Sequence, residues 1–130
     1  MKKNIYILQI TIALILLTHG IPGMLDGGVN AFGEFFLNTI GFSPFGVPLA
    51  WAIKISHLVC AIALIANRYV KLASISTIFV LIMGIILVHF KEGWYVVGGG
   101  RNGVEYNFLM IMVLIIISTP EKLFQLKKIQ

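Results

Sequence analysis

The chain has 130 residues, of which 58% are hydrophobic and only 12% are charged, a balance too apolar for a soluble domain of this size. The net charge of +5 does not indicate nucleic-acid binding, because the basic residues lie at the chain ends and in one short turn. With Cys60 as its single cysteine, the chain has no intramolecular disulfide, CxxC redox pair or cysteine-rich metal site. We therefore expect one membrane domain over residues 1–130, surrounded by the lipid bilayer.

The first apolar run follows Lys2 and Lys3 and predicts a membrane-spanning helix over residues 4–20. The same pattern is typical of a secretory signal peptide, which is the alternative interpretation. No A-x-A pattern follows the run, and the sequence HGIP at 19–22 matches a small-residue cleavage site poorly. We therefore favour an uncleaved first span.

Glycines and prolines interrupt residues 20–47, so we expect no regular spanning helix there. The middle of this segment, AFGEFFL at 31–37, is nevertheless too apolar for a free loop. These features predict a short amphipathic or re-entrant helix between the first and second spans. We expect it to cover the outer end of the protein.

Three further apolar runs predict spans over residues 48–66, 71–89 and 104–119. Pro48 suits the first turn of its helix, where a missing N–H group costs nothing. The loop at 91–103 carries aromatic residues that are typical of the headgroup level. The whole pattern predicts an all-α membrane protein, a bundle of four transmembrane helices.

The basic residues near the predicted helix ends indicate an orientation. One end of the bundle is expected to carry Lys2, Lys3, Arg68, Lys71, Lys122, Lys127 and Lys128. Only Lys91 and Arg101 belong to the other end. Because lysine and arginine accumulate on the cytoplasmic side, both termini are predicted to be cytoplasmic and the glycine-rich loops to face outward.

Five ionisable residues are predicted to line a funnel from the outer surface towards the middle of the membrane. They are His19, Lys54, His57, His89 and Glu105. Lys54 and His57 are three residues apart, which places them on one face of their helix. At a rise of about 1.5 Å per residue they lie roughly 9 and 14 Å beyond Pro48. Ionisable groups at such depth are costly and usually functional, so we predict a ligand-binding pocket.

Plainer roles exist for several of these residues. His19 and His89 suit interfacial anchors or helix caps, Lys54 suits a snorkelling side chain, and Glu105 suits a counter-ion for a nearby cation. No local metal-ligand spacing occurs, so we predict no metal site and consider haem ligation disfavoured. The run GGGRNG at 98–103 fits a dinucleotide motif by letters only, because no strand precedes it.

An ordered set of short motifs resembles the DoxX family of small membrane proteins. The set comprises His19-Gly20, VNAFGEF at 29–35, Arg68, His89 with Gly93, and GVEY at 103–106. The resemblance covers residues 5–119 and implies a four-helix bundle in the bacterial cytoplasmic membrane. The family is named after the small subunit of a thiosulfate:quinone oxidoreductase, and some members are associated with membrane oxidoreductase complexes.

The chain departs from the pattern of this family in its second helix and at its end. His57 stands where the family often has a glutamate, and Cys60-Ala61 replaces a Gly-Gly pair. The family's usual ending is replaced by Pro120-Glu121-Lys122. These exchanges argue against thiosulfate chemistry and leave the expected fold unchanged.

The leading hypothesis is a redox or quinone-linked membrane subunit whose outward pocket binds a small polar or quinone-type ligand. Histidine suits this role because its ring can donate to a quinone oxygen and carry a proton near neutral pH. The alternatives are a small transporter or proton or anion permeability component, and a non-catalytic assembly subunit. Oxidoreductase subunits are the expected partners, a homo-oligomer is left open, and nucleic acid is not expected.

Overall fold

The computed structural model describes residues 3–120, and every regular element within that range is helical. The topology signals at Lys2, Lys122, Lys127 and Lys128 and the last part of the Pro120-Glu121-Lys122 ending lie outside the described residues. The chain forms two compact units, Met1–Arg68 and Tyr69–Gln130. Each unit positions its own candidate residues.

The first unit begins with helix α1, Lys3–Leu25, which packs along helix α3, Gly46–Ile65. The predicted end of the first helix near residue 20 was wrong, because α1 continues through Pro22. Proline removes one backbone donor and crowds the preceding turn, but the residues on either side retain helical geometry here. Helix α3 matches the predicted second span closely, with Pro48 in its first turn.

The segment between α1 and α3 folds into helix α2, Gly28–Ala31, and a π-helix, Phe32–Phe42, confirming the predicted helix there. Gly41 ends regular winding with a φ of 115°, which glycine adopts without steric cost. Both helices pack on α3. Val29, Leu37 and Ala50 form the core of this contact, surrounded by Met24, Phe32, Phe36, Ile40, Phe42, Leu49 and Trp51.

The second unit contains helix α4, Val70–Gly84, which continues as a π-helical turn, Ile85–His89, and a 3-10 turn, Phe90–Glu92. The third predicted span ended at 89, so its helical winding continues slightly further than expected. After a loop, helix α5, Glu105–Ser118, packs against α4 and agrees with the predicted fourth helix.

Three helical segments within residues 3–120 are long and apolar enough to cross a membrane: Asn4–Leu25, Gly46–Ile65 and Val70–Glu92. The apolar helix Glu105–Ser118 has 14 residues. It therefore measures about 21 Å at a rise of about 1.5 Å per residue, which is less than the ~30 Å hydrocarbon core of a bilayer. Three such helices are typical of a membrane protein, as the composition predicts.

Candidate functional site

Three of the predicted site residues come together in the Met1–Arg68 unit. The ammonium group of Lys54 on α3 donates a hydrogen bond to the backbone carbonyl oxygen of His19 on α1, at 2.9 Å. His57 lies near enough to both residues for electrostatic interaction. His19 was predicted to end the first helix, and this was wrong because α1 continues to Leu25. The exposed His19 therefore contributes to the cluster from within a helix.

The hydrogen bond from Lys54 falls on the turn of α1 that precedes Pro22. Proline has no N–H group, so it cannot donate to the carbonyl oxygen of Thr18, and its ring crowds that turn. Lys54 donates to the neighbouring carbonyl of His19, not to that of Thr18. The half-buried Lys54 side chain is thus hydrogen-bonded to α1, whereas a snorkelling lysine would only extend towards the membrane surface.

His57 is the most deeply buried ionisable residue of this cluster, with an exposed fraction of 9%. Its ring atom Nδ1 is buried and has no hydrogen-bond partner among residues 3–120. Gly20 of α1 lies close to this part of α3, because a Cβ atom there would lie 2.6 Å from Leu58 Cδ1 and 3.8 Å from His57 Cβ. An unpaired buried polar group costs roughly 1–3 kcal/mol, and His57 Nδ1 is such a group.

The cluster presents hydrogen-bond donors without a neutralising carboxylate. Across the described part of the chain, the only ion pair joins Arg101 to Glu92, and Lys54 takes part in none. An ammonium group has three N–H donors, and the carbonyl of His19 uses one of them. Lys54 and His57 can therefore serve oxygen atoms of a bound ligand.

In the second unit, His89 is held by the loop that precedes α5. Its Nδ1 atom lies 2.8 Å from the carbonyl oxygen of Asn102. A carbonyl oxygen only accepts, so Nδ1 carries the proton of this bond and the neutral ring has its lone pair on Nε2. The loop thus fixes both the orientation and the tautomer of the half-buried ring.

Glu105 begins α5, as predicted, and its carboxylate holds the same loop. Oε1 accepts hydrogen bonds from the backbone N–H groups of Val96 and Val97, at 2.6 and 2.7 Å. Two donors on one oxygen stabilise the ionised carboxylate. Arg101, a cation four residues before Glu105 in the sequence, has its Nε atom 3.4 Å from Glu92 Oε2 instead. Glu105 therefore acts as a structural acceptor for the loop.

We expect Glu105→Ala to release the loop while leaving the helices folded. Without the carboxylate, the amide protons of Val96 and Val97 should exchange with solvent faster, on the order of tenfold. Hydrogen exchange followed by mass spectrometry on the protein in detergent measures this effect. Glu92→Ala is the matched control, because its carboxylate contacts only the exposed Arg101 side chain. Equal exchange in both variants would contradict the structural role.

Asn107 is a buried polar residue of α5 that the sequence pattern did not single out. It is 6% exposed, and its Nδ2 atom donates to the carbonyl oxygen of Leu81 at 3.3 Å. The available signal was an amide within an otherwise apolar helix, which is costly unless it is bonded. It was overlooked because charge, and not hydrogen-bonding capacity, guided the selection.

The five predicted residues thus form two sets, one in each unit. His19, Lys54 and His57 are brought together between α1 and α3, whereas His89 and Glu105 organise the loop before α5. That all five line a single funnel stays a prediction. No group of three or more histidine, cysteine, aspartate or glutamate residues within residues 3–120 is arranged to hold a metal ion.

Comparison with models of known protein families gives no match, and no curated protein or solved structure is significantly similar to the chain. The functional interpretation therefore depends on the residues and geometry described above.

Proposed function

We propose that this chain is a DoxX-like membrane protein of the bacterial cytoplasmic membrane, a four-helix bundle with both termini in the cytoplasm. It serves a redox or quinone-linked complex and binds a quinone-type ligand in an outward pocket. His19, Lys54 and His57 form the binding cluster. Subunits of a membrane oxidoreductase are its partners.

The observation that carries the proposal is the unpaired Nδ1 atom of His57. Its Nδ1 atom is buried without a partner in the described chain, beside an ammonium group that has spare donors. A polar ring in an apolar helix is retained against a cost of roughly 1–3 kcal/mol, which argues for a function when the site is occupied.

A quinone fits the chemistry of this cluster. Its carbonyl oxygens accept hydrogen bonds, and its apolar ring partitions into the bilayer from which a site between α1 and α3 is reached. Lys54 stabilises negative charge on a ligand oxygen, and a neutral imidazole can donate one hydrogen bond to such an oxygen. The apolar neighbours of His57, including Leu58, suit the ring of the ligand.

Quenching of Trp51 fluorescence by duroquinone tests the proposal in detergent-solubilised protein. Trp51 precedes His57 by six residues, or roughly 9 Å along the helix. Its indole is fixed by a hydrogen bond of 2.7 Å to Asn30 Oδ1. A Trp94→Phe background leaves Trp51 as the only tryptophan. We expect saturable quenching that weakens at least about tenfold in His57→Leu, because a desolvated hydrogen-bond partner is lost.

Ser56→Ala is the matched control, since the Ser56 hydroxyl bonds only to the carbonyl oxygen of Ile53 in its own helix. It should bind duroquinone as the parent protein does. Equal quenching in the His57→Leu and Ser56→Ala proteins would overturn the quinone site. Iodide uptake into proteoliposomes that is lost in Lys54→Met, without quinone binding, would favour an anion permeability component instead. The donor cluster without a carboxylate is the feature that supports this second candidate.

A further inference from the structure

The Tyr69–Gln130 unit contains a polar notch that the quinone proposal does not use. We call it the Gly84 notch, and it is defined by Gly84, His89 and Asn107. A Cβ atom on Gly84 would lie 3.3 Å from Asn107 Nδ2 and 3.9 Å from His89 Nε2. Both polar atoms therefore face the space that the missing side chain leaves on α4.

The two atoms have opposite hydrogen-bonding character. The bond from His89 Nδ1 to the Asn102 carbonyl leaves a lone pair on Nε2, which is an acceptor. Asn107 Nδ2 carries two protons, of which the Leu81 carbonyl oxygen takes one across 3.3 Å. The notch thus offers one acceptor and one donor. The hydrogen bond of His89 to the described chain is made through Nδ1, not through Nε2.

We propose that the Gly84 notch binds the hydroxyl group of a small amphipathic alcohol or phenol. A hydroxyl group can donate to Nε2 and accept from Nδ2 through one oxygen. A ketone or an ether accepts only, and an ammonium group donates only. The glycine provides the room, because a Cβ atom at position 84 would lie within 4 Å of both atoms.

Nitrogen NMR of histidine-labelled protein in detergent tests the site, with para-cresol as the probe and its methyl ether as the matched control. His89→Gln identifies the signals of His89 among the three histidines. At a pH of about 8, ordinary imidazoles are neutral and phenols are protonated. We expect the signal of His89 Nε2 to report an unprotonated nitrogen and to shift with para-cresol. The ether, which has no hydroxyl proton, should leave it unchanged.

Gly84→Ala supplies the second measurement, because its methyl group fills the notch while both polar side chains remain. It should weaken para-cresol binding by roughly tenfold, as expected for losing hydrogen bonds in a desolvated site. The proposal is overturned if His89 Nε2 is the protonated nitrogen, or if phenol and ether shift its signal equally. The ligand comparison decides the matter in the parent protein even where Gly84→Ala folds poorly. None of these outcomes depends on duroquinone binding at His57.

Discussion

Gly33→Ala is expected to destabilise the Met1–Arg68 unit by about 3 kcal/mol, in the upper range for overpacking a well-fitted contact. A Cβ atom at position 33 would lie 2.5 Å from Val47 Cα and 2.7 Å from both Val47 N and Gly46 O. All three atoms belong to the backbone, so no side chain can turn aside to make room. Relief requires the π-helix to move away from the start of α3.

The facing residue shows that this contact is tight from both sides. A Cβ atom on Gly46 would overlap the carbonyl oxygen of Gly33 and the side-chain oxygen of Asn38. The Gly46 N–H group donates to that Asn38 oxygen at 2.9 Å, which fixes the π-helix on α3. Separation of the two backbones in Gly33→Ala would also break this bond.

Thermal unfolding of the detergent-solubilised protein, followed by circular dichroism, measures the effect. Gly23→Ala is the matched control because the nearest atom to its added methyl group is Val29 Cγ2, at an ordinary 3.4 Å. Alanine is favoured over glycine in a helix by roughly 1 kcal/mol, so the control should unfold at the same or a higher temperature. A Gly33→Ala protein as stable as the control would show that the two backbones do not make this close contact.

The positions of the long helices were predictable because each consists of a long apolar run bounded by turn residues. The end of α1 was not, since proline and glycine normally terminate a helix and Pro22 here does not. In the folded protein this turn also packs on α3, and Lys54 donates to the carbonyl of His19 from 35 residues away. A local pattern contains no information about such a partner. The close approach of Gly33 and Gly46 is equally a product of tertiary packing.

The candidate site was predictable in its members more than in their roles. Ionisable residues in apolar runs identified Lys54 and His57, and the structure buries His57 in the helix pair. Charge alone suggested a ligand or counter-ion role for Glu105, whereas its carboxylate oxygen accepts two backbone N–H groups of a loop. The acceptor requirements of that loop depend on its folded path, which composition and spacing do not reveal.

His57→Leu is expected to raise the stability of the ligand-free protein by roughly 1–3 kcal/mol, the cost of an unpaired buried polar group. The imidazole atom Nδ1 has no partner in the described chain, and a leucine of similar volume removes the unmet polar group from an apolar surrounding. The substitution also removes the imidazole from beside the ammonium group of Lys54, with which it interacts electrostatically. Chemical denaturation in mixed detergent measures the difference.

Asn107→Leu is the control that separates partnered from unpartnered polar groups. Asn107 is as deeply buried as His57, but its amide bonds to the carbonyl of Leu81, so its loss should lower stability. If His57→Leu also lowers stability, the imidazole has a partner and its role is structural. Saturating duroquinone should stabilise the parent protein and leave His57→Leu unchanged, because only a ligand bound to the folded state shifts unfolding. If the imidazole of His57 lowers the stability of the ligand-free protein and raises that of the ligand-bound protein, its role is ligand binding.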